Sequence, residues 1–112
     1  MIRLLLVELE VEDPETRTFA RALRDEGIEV VYAAAQAAEE IAAAAVQEDV
    51  KAVGLVIRTD RHRRLAGELA GHGIVVFATA ESDEHKLRES GVAAIFRHDA
   101  AHHVAVWAGK LG

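Results

Sequence analysis

Five short apolar runs, separated by segments with helical periodicity, constrain the fold of this chain more than any other feature. The first run, Leu4 to Val7, is continuous, which favours a central strand covered on both faces over a half-exposed one. The pattern predicts four more strands at positions 28–32, 50–57, 74–78 and 92–96. Strands that alternate with helices are typical of α/β domains with a parallel sheet.

The first helix has clear start and stop signals. Asp13, followed by Pro14 and Glu15, is typical of a helix start, since a carboxylate accepts from free backbone N–H groups and suits the positive end of the helix dipole. Gly27 is expected to end this helix, because glycine adopts the left-handed conformation of a helix terminus without strain.

Four further helices follow from apolar spacing, caps and glycines. Trp107 falls at core spacing on the last of them and is expected to pack against the sheet. Five strands with intervening helices then predict a parallel sheet in the order 2-1-3-4-5, the flavodoxin-like (Rossmann-like) arrangement, with helices on both faces and one domain over residues 1–112. The four helices are an alanine-rich one between Ala33 and Gln47, one around Leu65 and Leu69 that ends at Gly71 or Gly73, one from a Ser82 cap to Gly91, and one capped by Asp99.

Composition narrows the classes of function. The 112 residues are 51% apolar and 29% charged, which is typical of a compact protein with a core. Thirteen Lys and Arg against 19 Asp and Glu give 13 − 19 = −6, which argues against nucleic-acid binding. The absence of cysteine excludes thiolate metal ligands and cysteine nucleophiles. No apolar segment reaches membrane-spanning length, and we expect a cytoplasmic protein.

Charged residues follow the predicted strands at their carboxyl ends, where open parallel sheets bind ligands. We call the nine candidate site residues the carboxyl rim. They are Glu10, Glu12 and Asp13 after the first strand, Arg58, Thr59 and His62 after the third, Thr79 after the fourth, and Arg97 and His98 after the fifth.

Each group of rim residues allows two interpretations. The acidic residues, together with Glu15, are either solvated charges at a helix start or oxygen ligands for a divalent cation. His62 and His98 could bind a transition metal, although they lack the spacing of a zinc motif. Arg58 and the run Arg61 to Arg64 are either a solvated helix start or a receptor for a phosphate or an acidic partner. The sequence does not decide whether these residues bind a metal ion.

Three core segments resemble a known family. LRDEGIEVVYA, EEIAAAAVQEDVKAVGL and ESGVAAIF, in this order and spacing, are similar to the cobalamin-binding domain that ends methylmalonyl-CoA mutase. That family carries Asp-x-His-x-x-Gly after its first strand, and the histidine ligates cobalt while the aspartate orients it. Here Glu10 stands for the aspartate, Glu12 for the histidine and Glu15 for the glycine.

The other cofactor-facing signatures of that family also differ. Val56 to Arg58 replace its Ser-x-Leu stretch, Ala78 and Thr79 replace its Gly-Gly pair, and Arg97 to Asp99 replace its Gly-rich turn. Larger side chains at these places should obstruct the nucleotide tail of the cofactor. The resemblance therefore implies a domain that has lost cobalt ligation and acts as a non-catalytic binding or interaction module. We expect no cofactor, with cobalamin as the one that the resemblance allows.

Two alternatives remain beside that interpretation. One is an accessory cobalamin carrier that binds the cofactor without a protein imidazole ligand. The other is a divergent receiver-like signalling domain, since acids after the first strand and Thr79 after the fourth resemble that family. A receiver also needs a phosphorylatable Asp at the end of its third strand and a Lys at the end of its fifth, where this chain has Val56 to Arg58 and Arg97.

An enzyme is the least favoured class, because no motif places a nucleophile beside a base. The expected partners are another protein or a second copy of the chain, and neither nucleic acid nor a membrane.

Overall fold

The structure is a computed structural model that describes residues 2–10, 13–80, 84–97 and 99–111. Strands and helices alternate along the chain. The strands are β1 (Arg3–Glu8), β2 (Glu29–Ala34), β3 (Ala52–Val56), β4 (Val76–Thr79) and β5 (Ala94–Phe96). The helices are α1 (Pro14–Asp25), α2 (Ala38–Gln47), α3 (Asp60–Gly71), α4 (Glu84–Glu89) and α5 (Ala101–Gly109).

All strand pairs are parallel, and the sheet order is β2-β1-β3-β4-β5. Leu6 of β1 lies between Tyr32 of β2 and Gly54 of β3, so β1 is a central strand. The predicted flavodoxin-like fold class and its strand order are confirmed.

Alternate residues of β1 enter two separate cores. Leu5 packs with Ile41 of α2 and Leu69 of α3 on one face of the sheet. Leu4 packs with Phe19 of α1 and Val104 of α5 on the other face. Because helices cover both faces, both sets of side chains are buried, and this explains why the apolar run does not alternate with polar residues.

Three aromatic rings pack together on the face of the sheet that α1 and α5 cover. Trp107 lies edge-on to Phe77 and Phe96, with ring centroids 5.5 and 5.8 Å away, and the expected packing of the last helix is confirmed. Gly54 lies under the same cluster: a Cβ at this position would be 2.3 Å from Cζ of Phe77. A side chain at position 54 is therefore sterically excluded unless the ring moves.

Two predicted helix starts are wrong. The second helix begins at Ala38 rather than near Ala33, because β2 continues in register with β1 as far as Ala34. Asp99 does not cap α5. Ala100 is the cap residue and offers no side-chain acceptor, while its N–H donates to the carbonyl of Arg97 at 3.1 Å, so a backbone turn leads into the helix.

Other boundary signals hold. Asp13 caps α1, and Gly27 follows that helix with φ +86°. The proposed cap Ser82 lies outside the described residues. Within the described ranges, no helix is both long enough and apolar enough to span a bilayer.

Candidate functional site

Strand register brings the ends of the central strands to one edge. Val7 pairs with Leu55, so Glu8 and Val56 are the next neighbours across β1 and β3. Val56 pairs with Thr79, and Thr79 with Phe96. The loops that follow β1 and β3 therefore meet where the strand order reverses, which is where such sheets place their ligands.

Asp13 connects the end of β1 to the start of α1. Its carboxylate accepts from the backbone N–H of Thr16 at 3.2 Å and from the Thr16 hydroxyl at 2.6 Å. Its own N–H donates to Oε1 of Glu8, the last residue of β1, at 2.8 Å. Asp13 is buried. The predicted cap is thus also the junction of strand and helix.

Arg58 reaches from the end of β3 to this junction. Nη1 donates to Oδ2 of Asp13 at 2.8 Å and Nη2 to Oδ1 at 2.6 Å, a two-bond guanidinium–carboxylate pair. Nη2 also donates to Oε2 of Glu15. Arg58 therefore binds two carboxylates at the start of α1 and connects the loop after β3 to the loop after β1.

The electrostatics of the pair follow from these bonds. Burial raises the pKa of Asp13, but hydrogen bonds from Arg58 and Thr16 outweigh it and hold that pKa below its ordinary value of 3.8. The hydrogen bond to Asp13 outweighs burial in the same way and raises the pKa of Arg58. Both groups are therefore charged at neutral pH.

His62 is fully buried and uses both ring nitrogens. Nδ1 accepts the backbone N–H of Arg58 at 3.1 Å, so the ring hydrogen is on Nε2, which lies 2.7 Å from Oε1 of Glu10 and donates to it. The backbone N–H of His62 donates to Oγ1 of Thr59, the cap of α3, at 3.1 Å. His62 thus connects the loop after β1 to the loop after β3, and neither ring nitrogen is free to bind a metal.

A cleft of about 400 Å³ lies over this network, lined by Glu10, Asp13, Pro14, Glu15 and Arg58. Two of its three carboxylates, those of Asp13 and Glu15, bind the Arg58 guanidinium. Among the residues that the structure describes, no group of three or more acidic or histidine side chains is arranged to hold a metal ion. Arg58 occupies the centre that a cation would need.

Two of the remaining rim residues, Thr79 and Arg97, are described and do not join the network. Thr79 is buried at the end of β4, and its hydroxyl has no hydrogen-bond partner within the described part of the chain. Arg97 is exposed after β5. Glu12 and His98 lie outside the described residues. Of the nine predicted rim residues, Glu10, Asp13, Arg58, Thr59 and His62 come together.

The basic run does not form a single phosphate receptor. Arg61 lies 3.9 Å from Glu10, and Arg63 lies 2.9 Å from Asp60 in the first turn of α3. Arg58 pairs instead with Asp13 and Glu15. The helix-start interpretation fits these pairs better than the phosphate interpretation.

Sequence reasoning missed two relationships. It grouped Arg58 with the arginines of α3, although a lone Arg directly after an apolar strand, opposite an Asp-Pro-Glu helix start, is a signal for an ion pair between loops. It also passed over Tyr32, whose buried hydroxyl makes no hydrogen bond of normal geometry with a described residue. Burial, and then the nearby Glu8 carboxylate, raise the pKa of Tyr32.

No protein-family model and no curated protein matches the sequence. Solved structures do match. A cobalamin-binding protein from Desulfitobacterium hafniense DCB-2 aligns with TM-score 0.78 and 15% identity over 99% of this chain, which spans 59% of that protein. TadZ, a CheY-like protein from Pseudomonas aeruginosa PAO1, aligns with TM-score 0.76 and 14% identity over 100% of this chain and 94% of its own.

The signal receiver domain of NarL from Mycobacterium tuberculosis aligns with TM-score 0.73 and 16% identity over 96% of both chains. Receiver domains and CheY-like proteins outnumber cobalamin-binding proteins among the similar structures. Identities this low show a shared fold alone. The expected likeness to cobalamin-binding domains therefore holds for the fold, and the fold of receiver domains is matched at least as well.

Proposed function

We propose that this chain is a phosphorylation-independent interaction module built on a receiver-like fold. The observation that carries the proposal is the ion pair between Arg58 and Asp13, which is joined by two hydrogen bonds. It places a guanidinium of this chain in the acidic cleft. The predominance of receiver-like folds among the similar structures supports the class.

The end of β3 supports a loss of phosphorylation. A receiver requires an aspartate there, and this chain has the buried Val56, with Ile57 and Arg58 after it. A valine side chain has no oxygen to accept a phosphoryl group. The neighbouring Thr79 hydroxyl therefore has no phosphoryl oxygen to bind.

Among the described residues of the cleft, Asp13 and Glu15 already bind a cation of the chain, which argues against the magnesium that phosphoryl transfer uses. Magnesium takes carboxylate oxygens that are free of other strong partners. Here both oxygens of Asp13 bind Arg58, and Glu15 shares the same guanidinium. We infer that the rim has one resting shape, which a partner recognises directly.

Cobalamin carriage has less support from the site. His62, the histidine that could have substituted as a cobalt ligand, is buried with both nitrogens engaged. Arg58 also crosses the cleft between the loops after β1 and β3, where the family's cofactor would enter.

The test is exposure to acetyl phosphate and magnesium, read by intact mass, with a phosphorylatable receiver in the same mixture as the positive control. We expect the receiver to gain a phosphoryl group and this chain to gain none. Stoichiometric phosphorylation of this chain on an aspartate or glutamate would contradict the proposal.

Recognition itself is tested by a photo-crosslinking residue at Glu10, beside the cleft, with the same residue at exposed Glu89 of α4 as the control. In extract of the source organism we expect one adduct from the Glu10 position, formed equally with and without acetyl phosphate. An adduct that forms only after the phosphoryl donor is added would contradict independence from phosphorylation.

A further inference from the structure

A second groove lies at the amino edge of the sheet, opposite the Arg58–Asp13 cleft. It has a volume of about 320 Å³ and runs between the end of α2 and the starts of β3 and β4. Its lining includes Val46, Asp49, Val50, Lys51, Ile74 and Val75. None of these residues belongs to the carboxyl rim, so the groove is separate from the site of the proposed function.

Two of the residues that line the groove are exposed valines. Val46 is 76% exposed and Val75 is 38% exposed. In the described part of the chain only three large apolar side chains are exposed, and two of them line this groove; the third, Val106, lies on α5. Water-exposed apolar surface that is concentrated in a concave site is stabilised when another surface covers it.

Opposite charges lie beside the valines. Asp49 and Lys51 are two residues apart, both are exposed, and no hydrogen bond or ion pair joins either side chain to another residue that the structure describes. In a two-fold dimer, a residue that contacts a second residue across the axis is contacted by it in return. On this surface Asp49 and Lys51 lie beside exposed valines, so each charge can meet its opposite on a second copy.

The segment that presents these charges is held by backbone bonds. The N–H groups of Asp49, Val50 and Lys51 donate to the carbonyls of Val46, Ala45 and Arg3 at 3.2, 3.2 and 2.8 Å. Asp49 has φ 53°, a left-handed conformation that aspartate tolerates better than most residues. The turn is thus preformed, and little ordering is needed when a second surface binds.

We infer that two copies of this chain associate about a two-fold axis through this groove. Val46 of each copy packs on the apolar floor of the other, and Asp49 of each copy pairs with Lys51 of the other. Because the groove is small, the interface belongs to the weak, concentration-dependent class.

The first test is sedimentation velocity of the whole chain from about 10 µM to about 1 mM, the range in which weak interfaces assemble. We expect a monomer–dimer equilibrium within this range. Val46→Asp should abolish the dimer, because it places a carboxylate in the apolar centre. Val106→Asp is the matched control, an exposed valine outside the groove, and should leave the equilibrium unchanged.

The second test uses charge reversal. Lys51→Glu and Asp49→Lys should each be monomeric alone, because like charges then face each other across the axis. An equimolar mixture should form a heterodimer, since Asp49 then meets Lys51 and Glu meets Lys at the other contact. Circular dichroism and thermal unfolding check each fold. If Asp49→Lys does not fold at its left-handed position, Asp49→Asn replaces it and should weaken the dimer.

Three results would overturn the inference. The first is a chain that stays monomeric up to about 1 mM. The second is a dimer that persists in both Val46→Asp and Lys51→Glu, which would place the interface on another face. The third is loss of the dimer in Val106→Asp alone, which would also place the interface outside the groove.

Discussion

Arg58 holds both carboxylate oxygens of Asp13, at 2.8 and 2.6 Å, although 45 positions separate the two residues in the sequence. The bond crosses the point where the strand order reverses, between the loops that follow β1 and β3. A surface ion pair contributes little to stability, but here the carboxylate is buried and caps a helix. The pair therefore fixes the shape of the edge that related folds use for chemistry.

Replacing the guanidinium is expected to lower stability. Arg58→Met keeps the length of the side chain but leaves the buried Asp13 carboxylate without its cation. We expect the free energy of unfolding to fall by about 1–2 kcal/mol, less than for a fully buried pair, because Arg58 is partly exposed. Urea denaturation measures the change. Arg61→Met, whose arginine lies 3.9 Å from Glu10, is the control and should change the free energy by less than about 0.5 kcal/mol.

Stability should depend on acid pH through Asp13. The pKa of Asp13 is below 3.8 in the native state, so near and below pH 3.8 the unfolded chain binds the proton and the native chain does not. This contribution is fully present above pH 3.8 and is lost as the pH falls through the native pKa.

Asp13→Asn tests this dependence, because asparagine keeps the helix cap and removes the titration. In urea denaturation between about pH 6 and about pH 3, the variant should lose less stability than the wild type. If the free energy of unfolding falls equally with pH in the two proteins, the pKa of Asp13 is the same in the native and unfolded states, and the prediction is wrong.

The stability of the sheet is expected to require glycine at position 54. Gly54→Ala would place a methyl group 2.3 Å from Cζ of the buried Phe77 and should cost about 1–3 kcal/mol or more through overpacking. Phe77→Leu in the same chain should recover part of the loss, because the smaller side chain leaves room. Gly71→Ala is the control and should be neutral or stabilising, because an added Cβ there would meet nothing within 4 Å beyond its own helix and chain neighbours. Equal stabilities of the two alanine variants would contradict this packing.

His62 is expected to be structural rather than a ligand. His62→Leu removes the acceptor of the Arg58 N–H and the hydrogen bond to Glu10 and should destabilise the protein by about 1–3 kcal/mol. His103→Leu, at an exposed position of α5, should be nearly neutral. The wild-type protein, mixed with hydroxocobalamin and gel-filtered, should elute colourless. Co-elution with a spectrum of nitrogen ligation that His62→Leu abolishes would contradict this role.

The fold was accessible from the sequence because it depends on local signals. The run from Leu4 to Val7, the cap at Asp13 and the stop at Gly27 each report on their own segment, and the strand order follows from the alternation of elements. The Arg58–Asp13 pair depends instead on register between strands that are distant in the sequence. Asp99 failed as a cap because the helix begins one residue later than predicted, with Ala100 at the cap position, and propensity alone does not fix a helix start to a single residue.

The central claim is that Arg58 occupies the carboxylates that magnesium would otherwise bind. The most direct test is to titrate magnesium, and then acetyl phosphate, while the ¹H–¹⁵N spectrum is recorded. The backbone amides of residues 13 and 58 are the reporters. The account predicts no saturable shift of these amides in the wild type at either step. It also predicts magnesium-dependent shifts in Arg58→Met, where the cleft carboxylates have lost their internal cation. Saturable shifts in the wild type, with a further change on addition of acetyl phosphate, would contradict it.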